Sequence, residues 1–300
     1  MLELALTLAS IFFAIYLIGK WKIFQIEGIS NAVFKGLFII KIVAALALYV
    51  IYTQYYKDRA YADIFRYYDD SEIIYNTLLS KPWDFFRMLT GIDGRAPELL
   101  PYYDTMLNWY NTDLIFNDSR TMIRINAFLR LFSMGTYFPH AVVMCFLAML
   151  GLTGIFRVVN ELIKGKPFLL MVIIYLLPST LLWTSGMIKE AFLIYALGIL
   201  MYQISNALDE KKLSVKRISF IVLPVLILIT VKAYVCFLIL PVLLYWLVKS
   251  YRVNFSLGGM FLILGIYFFR IRHLVSCTYR KRSSIDDCKK ASRVLFCRRT

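Results

Sequence analysis

Histidine is nearly missing from this chain: there are two in 300 residues. The five cysteines form no C-x-x-C pair. A zinc site built on paired thiolates is therefore disfavoured. The chain also has no Walker A loop, no G-x-G-x-x-G turn, no H-E-x-x-H helix and no nucleophile elbow. Soluble-nucleotide chemistry and zinc hydrolysis lose their usual vehicles. The first apolar run has no basic stretch ahead of it, and no A-x-A-like site follows it; Lys20 and Lys22 come after it. That polarity is wrong for a cleaved signal peptide, and a retained first span is expected.

What the chain has is apolar surface. Sixty per cent of its residues are hydrophobic and its mean hydropathy is +0.66, against about half apolar for a soluble domain. Runs of about 18 apolar residues are long enough to cross the hydrocarbon layer as helices. Eight such blocks are legible: 2–19, 37–54, 138–156, 168–184, 187–205, 218–231, 233–248 and 255–269. The expected fold is an all-α polytopic transmembrane bundle of about eight spans. Its parts are two N-terminal helices over 1–56, an amphipathic segment over 57–133, a six-helix bundle over 134–269 and a basic tail over 270–300. The two blocks that meet near residue 232 could instead form one long hairpin.

Charge orients this arrangement. Segments 20–36, 157–166 and 206–217 each carry a net charge of +2, and Lys249 with Arg252 adds another +2. Basic loops stay cytoplasmic. Segment 57–133 has nine bases against eleven acids, a net of −2, and falls on the opposite side. The formal charge of +15 is then mostly topology plus the tail, which holds ten bases and two acids. No nucleic-acid partner is implied. The tail also holds Cys277, Cys288 and Cys297. It reads either as a disulfide-bearing or anionic-lipid-binding extension, or as an end without an evolved role, after which native spans would be missing.

The 57–133 segment is aromatic, and short helices near the membrane surface are expected within it. "SKPWDFFRMLTG" reads as one, with Ser80 as cap, Pro82 in the first turn and Gly91 as the stop. "NDSRTMIRINAFLRLFS", 117–133, reads as a second, with Asp118 or Ser119 as cap. Arg120 and Arg124, four apart, share its face. They serve either as interfacial arginines snorkelling to headgroups or as a guanidinium face for a lipid phosphate.

Asp69 and Asp70 are the acids that stand out, with Asp63 and Glu72 close in sequence. In a loop they could hold Mg2+ or Mn2+, or one could act as a general base. On a helix adjacent side chains diverge by about 100° and would not clamp one ligand. The alternative is a solvated turn balancing Arg59 and Arg66. In "LLPSTLLWTSGMIKEAFLIY", Pro178 disrupts the fourth span, and Ser185-Gly186 opens the fifth. Phosphate at Ser185, Gly186 and Lys189 would satisfy both the helix N-terminus and the lysine; the alternative is Lys189 snorkelling or paired with an outer-loop Asp. Glu190, Arg130, Lys232 and His140 map to the same side.

These features resemble the GT-C class of bacterial envelope-polysaccharide glycosyltransferases. The residues that carry the likeness are "DIFRYYDD" after an early span, the arginine helix and "PSTLLWTSGMIKE". O-antigen-polymerase-like proteins, which rely on external arginines, are also similar. The resemblance implies a multi-pass protein of a bacterial inner membrane using a polyprenyl-phosphate-linked sugar among membrane lipids and other polysaccharide-assembly proteins. Asp63, Asp69 or Asp70 would then supply a base or metal ligand. Arg120, Arg124 and Lys189 would hold the donor's phosphate. The rival expectation is a non-catalytic transporter or assembly subunit using the same external charges as a gate.

Overall fold

The computed structural model describes residues 1–55, 59, 62–109, 118–163, 165–210 and 215–250. The expected eighth block, the Lys249–Arg252 pair's second member and the basic tail lie outside the described residues. Among those described, regular structure is helical, apart from an isolated bridge between Ile26 and Ile29. Five helices are long and apolar enough to cross a membrane: Leu2–Lys20 (α1), Asn31–Tyr55 (α2), Tyr137–Leu162 (α7), Lys189–Glu210 (α10) and Arg217–Ile239, the last being part of a longer helix, Val215–Ser250 (α11). Between α2 and α7 lie Asp63–Ser80 (α3), Pro82–Thr90 (α4), Leu100–Asp104 (α5) and Asp118–Ser133 (α6).

Two expected spans take other forms. The block at 168–184 is broken into Pro167–Met171 (α8), a π-helical stretch Val172–Leu176 and Pro178–Trp183 (α9). Pro178 causes the interruption, because a proline disfavours the helical conformation of the residue before it, and Leu177 is accordingly extended. The blocks at 218–231 and 233–248 are merged in α11, whose helical path breaks only at Lys232, with φ −149° and ψ 81°. The chain divides into two compact units, 1–236 and 237–300. The first holds α1 to α10 and the part of α11 up to Cys236.

Within this first unit, α7 is the central element. Of its most apolar stretch, 72% is buried inside the protein, against 11% for α1 and 28% for α2. The outward faces of α1 and α2 carry Phe12, Phe13, Tyr16, Ile39 and Val43. Apolar side chains pointing out of a bundle suit a hydrocarbon surround. Helices α7 and α10 touch backbone to backbone. A Cβ added to Gly151 would lie 2.1 Å from the Ile194 carbonyl oxygen, and one added to Gly154 would lie 2.4 Å from that of Gly198. Small residues at these positions are what permit the approach. The pairing of 151 with 194 and of 154 with 198 means the two helices run in the same direction. The α8–α9 segment must therefore travel back along them.

Contacts sort the unit's chain reversals into two ends. At one end the Arg157 guanidinium donates to the carbonyls of Lys22, Ile23 and Gln25, and Arg217 donates to that of Asn206. At the other end the Glu3 carboxylate accepts the N–H groups of Tyr137 and Phe138 at the start of α7, and Lys232 meets Glu190 at the start of α10. Helices α3–α6 belong to this second end. Their core, with Ile64, Phe65, Ile74, Met88, Met122 and Ile123, merges with Leu48 and Tyr52 of α2 and Met187 and Ile188 ahead of α10. Residues of the three basic segments 20–36, 157–166 and 206–217 thus meet at the first end.

Candidate functional site

The α3–α6 end brings most of the singled-out residues into one polar network. Its base is α3. This helix is amphipathic, with Ile64, Phe65, Tyr67, Tyr68 and Ile74 buried. Because Asp69 and Asp70 are both on it, their side chains diverge. Asp69 forms a two-pronged pair with Arg59, at 2.7 and 3.0 Å, on the exposed side. This pairing holds the Arg59 guanidinium above its ordinary pKa. Asp70 is 5% exposed and turned inward, where its two oxygens accept the N–H groups of Leu107 and Asn108 at 3.0 and 2.7 Å. Burial raises the Asp70 pKa, and those two backbone donors oppose the rise. The pair does not fit a shared Mg2+ or Mn2+ site, and among the described residues no three His, Cys, Asp or Glu side chains converge to hold a metal. Asp63 pairs with Arg66 at 2.9 Å, and Arg66 also donates to the Asn108 side chain at 2.9 Å.

The loop that Asp70 fastens carries Trp109. Its indole stacks on Tyr103, with centroids 4.3 Å apart and planes 5° apart. Two guanidiniums from α6 lie at this indole, Arg120 at 5.2 Å and Arg124 at 5.3 Å from the ring centroid. Arg124 donates to the Met88 carbonyl at 2.8 Å. It also packs over Gly91, the left-handed stop of α4 (φ 80°), where a Cβ would come within 2.9 Å of its guanidinium. Among the described residues Arg124 faces no carboxylate. Burial depresses its pKa; the Tyr103 hydroxyl opposes that, and the like charge of Arg120 adds to it. Arg120 is likewise depressed by burial. Gly91 thus ends α4 as the sequence predicts, but Ser80 does not cap it: Ser80 is the last residue of α3, and Lys81 takes the cap position without a side-chain bond.

Lys189 joins this network through Asp118, the first residue of α6, at 2.5 Å, and its ammonium lies 5.0 Å from the centroid of the Tyr67 ring. The outer-loop aspartate considered as an alternative partner is therefore the one found. Glu190 pairs with Lys232 at 2.7 Å. The pair sits where α11 loses its helical geometry.

Three expected ligand residues are turned inward. Ser185 is fully buried, and its hydroxyl donates to the Leu181 carbonyl, so it does not present an open phosphate cradle with Gly186, which packs on Leu48 and Ile64. Arg130 is 2% exposed. It lies 4.0 Å from the Tyr68 ring centroid and donates to Ser71 and the Tyr68 carbonyl, both at 2.9 Å, bolting α6 onto α3. His140 is 1% exposed, between Ser133 (2.6 Å) and Asn126 (3.0 Å). Asn126 donates its amide to the Met122 carbonyl, so its oxygen faces the ring and accepts from Nδ1–H, while Ser133 donates to Nε2.

One residue escapes the sequence reading. Lys41 lies within a few ångströms of the midpoint of α2, by about 1.5 Å of rise per residue, and is 2% exposed. Its ammonium donates to the Thr184 hydroxyl in the buried turn between α9 and α10, beside the Cys145 thiol, which donates to the Ser185 carbonyl at 3.1 Å. A lone lysine inside an apolar run is the signal that could have found it. Comparison with protein-family models, with curated proteins and with solved structures returns no match.

Proposed function

We propose that this chain is a membrane-embedded glycosyltransferase that takes its sugar from a polyprenyl-phosphate carrier in a bacterial inner membrane, with the α3–α6 end on the extracytoplasmic side. The observation that carries the reading is the Arg120–Arg124 pair on the face of Trp109. Two like charges held half-buried against one indole, one of them facing no described carboxylate, favour an anion that bridges them, and planar guanidiniums suit phosphate oxygens. Lys189 and its Asp118 partner lie at the start of the same helix α6. A second support is an apolar cleft of about 460 Å³ between α1, α2 and α7, lined by Leu8, Ile11, Ile42 and Phe138 with Glu3 among its walls. It belongs to the same end of the bundle and matches an isoprenoid tail in character.

In the reaction, an acceptor hydroxyl forms a bond to the anomeric carbon while the bond from that carbon to the phosphate oxygen breaks. The carrier phosphate leaves with its charge matched by the guanidiniums. The hydroxyl proton passes to a carboxylate. Asp69 and Asp63 are the candidates that solvent reaches, each paired with an arginine that would have to release it, whereas Asp70 is buried with both oxygens on backbone N–H groups. The broken α8–α9 segment is read as a further crossing beside the five long apolar helices.

The test is consumption of a radiolabelled polyprenyl-phosphate sugar by the purified chain in detergent. Arg124→Ala is expected to weaken donor use about tenfold or more, the worth of a charged hydrogen bond. Unchanged turnover in this variant and in Arg120→Ala would overturn the reading. A carrier without chemistry has one specific observation in its favour: a broken, π-containing segment beside a buried intramembrane lysine is the construction of a gated path. Flux of intact lipid-linked sugar with no donor breakdown would identify it.

A further inference from the structure

The opposite end of the bundle holds a second, chemically different cleft. It has a volume of about 720 Å³ and opens between the end of α1, the middle of α7, the last turns of α10 and the start of α11. Its floor is apolar, with Leu147, Leu150, Ile199 and Phe220. Its rim is polar and basic, with Lys22, Arg217, Gln203 and Asn206.

We propose that this cleft binds one anionic phospholipid, its acyl chains on the floor and its phosphate at the rim. Charge complementarity and the division of the lining both point to that occupant. Lys22 is exposed at the rim, and among the described residues its side chain enters no ion pair. Arg157 stands just behind, 5.6 Å from the centroid of the Tyr202 ring that lines the cleft, and donates to neutral carbonyls, with no ion pair to it among the described residues. Arg217 is matched by Glu210 at 2.8 Å, a carboxylate whose side chain is 60% exposed and screened by water. Among the described residues, three cations gather around the cleft and Glu210 is the carboxylate found paired with one of them, so the local field attracts an anion. Gln203 and Asn206 add amide donors at the level of that charge. A zwitterionic headgroup would bring its own ammonium against the same lysine and arginines. Trp21, beside Lys22, is the side chain expected at a headgroup boundary. The site is separate from the Arg120–Arg124 cluster: Lys189 and Asn206 are 17 residues apart on α10, or about 25 Å.

The experiment uses the full purified chain, delipidated in neutral detergent, with phosphatidylglycerol, phosphatidylcholine or glycerol phosphate added in turn. Native mass spectrometry counts retained lipid, and thermal unfolding reports stabilisation. Phosphatidylglycerol is expected to be retained and to raise the melting temperature, phosphatidylcholine and glycerol phosphate to do neither. Lys22→Gln should weaken phosphatidylglycerol retention about fivefold, the worth of one interfacial cation. Leu150→Trp, which fills the floor and leaves the rim charges intact, should reduce it as well, with unfolding in detergent alone checking that both variants are folded. Equal retention of the two lipids, or unchanged selectivity in both folded variants, refutes the proposal. Competition by glycerol phosphate would refute it too, as it would mean a free-phosphate site. Sugar transfer plays no part in this readout, so the proposed activity can fail while the lipid site stands.

Discussion

Replacing Asp70 with alanine removes the acceptor for two backbone N–H groups in the loop that carries Trp109. The two donors are not equivalent. Leu107 is 70% exposed, so water can take over its N–H, whereas Asn108 is 4% exposed and its N–H would be left without a partner. A buried unsatisfied donor costs about 1–3 kcal/mol, and the hydrated one about 0.5–1.5 kcal/mol. Relief of the carboxylate's own burial, which raises its pKa, acts in the opposite direction. The net expectation is a loss of about 1–3 kcal/mol. Asp70→Asn keeps one oxygen and should lose roughly half of that. Thermal unfolding in detergent measures the loss, and limited proteolysis near residues 104–109 should show the loop opening first. Donor binding should fall in parallel, since Trp109 leaves its place under Arg120 and Arg124. If Asp70→Ala melts with the wild type, or if Asp70→Asn abolishes sugar transfer at an unchanged melting temperature, the anchoring role is wrong and the residue belongs to the chemistry.

The same contacts set other expectations. The raised pKa of Asp70 gives a sign for pH dependence: its contribution is fully present below the unfolded carboxylate value of about 4 and is lost as pH rises through the folded one. The wild type should therefore lose stability relative to Asp70→Asn over mildly acidic pH, as read by paired melts; a difference independent of pH would contradict the burial of the carboxylate. Gly198→Ala places a methyl group 1.8 Å from the Gly151 carbonyl oxygen, so it should part α7 from α10 and reduce the monodisperse fraction on size exclusion; a well-behaved variant would mean the helices do not touch. Lys41→Met should keep or raise the melting temperature, because an apolar isostere replaces a desolvated ammonium whose described partner is a hydroxyl. A drop of several degrees would assign Lys41 to holding the turn before α10.

How far the sequence could be read depended on the kind of signal. Apolar runs and Gly91 were legible because they report local physics: hydrocarbon thickness and a left-handed stop. The break at 168–184 was announced by Pro178, but its π-helical stretch has no local mark in the sequence. At the candidate site, the arginine face of α6 was visible from the spacing of Arg120 and Arg124. The inward turn of Asp70 was not, since its partners are Leu107 and Asn108, nearly forty residues away. The same holds for Arg130, whose guanidinium reads in sequence as one more interfacial charge and in space as a bolt to Tyr68 and Ser71. Lys41 was hidden by its neighbours: a single cation inside a span is diluted in any average of hydropathy.

Backbone contact through Gly151, Gly154 and Gly198 makes α7 and α10 behave as one beam. Bending either helix at these turns would have to part backbone from backbone. Lys189 stands at one tip of this paired element, and Tyr202 and Asn206 lie toward the other. The Pro167–Trp183 strut has no such seam and is already interrupted, so it is the element expected to yield first.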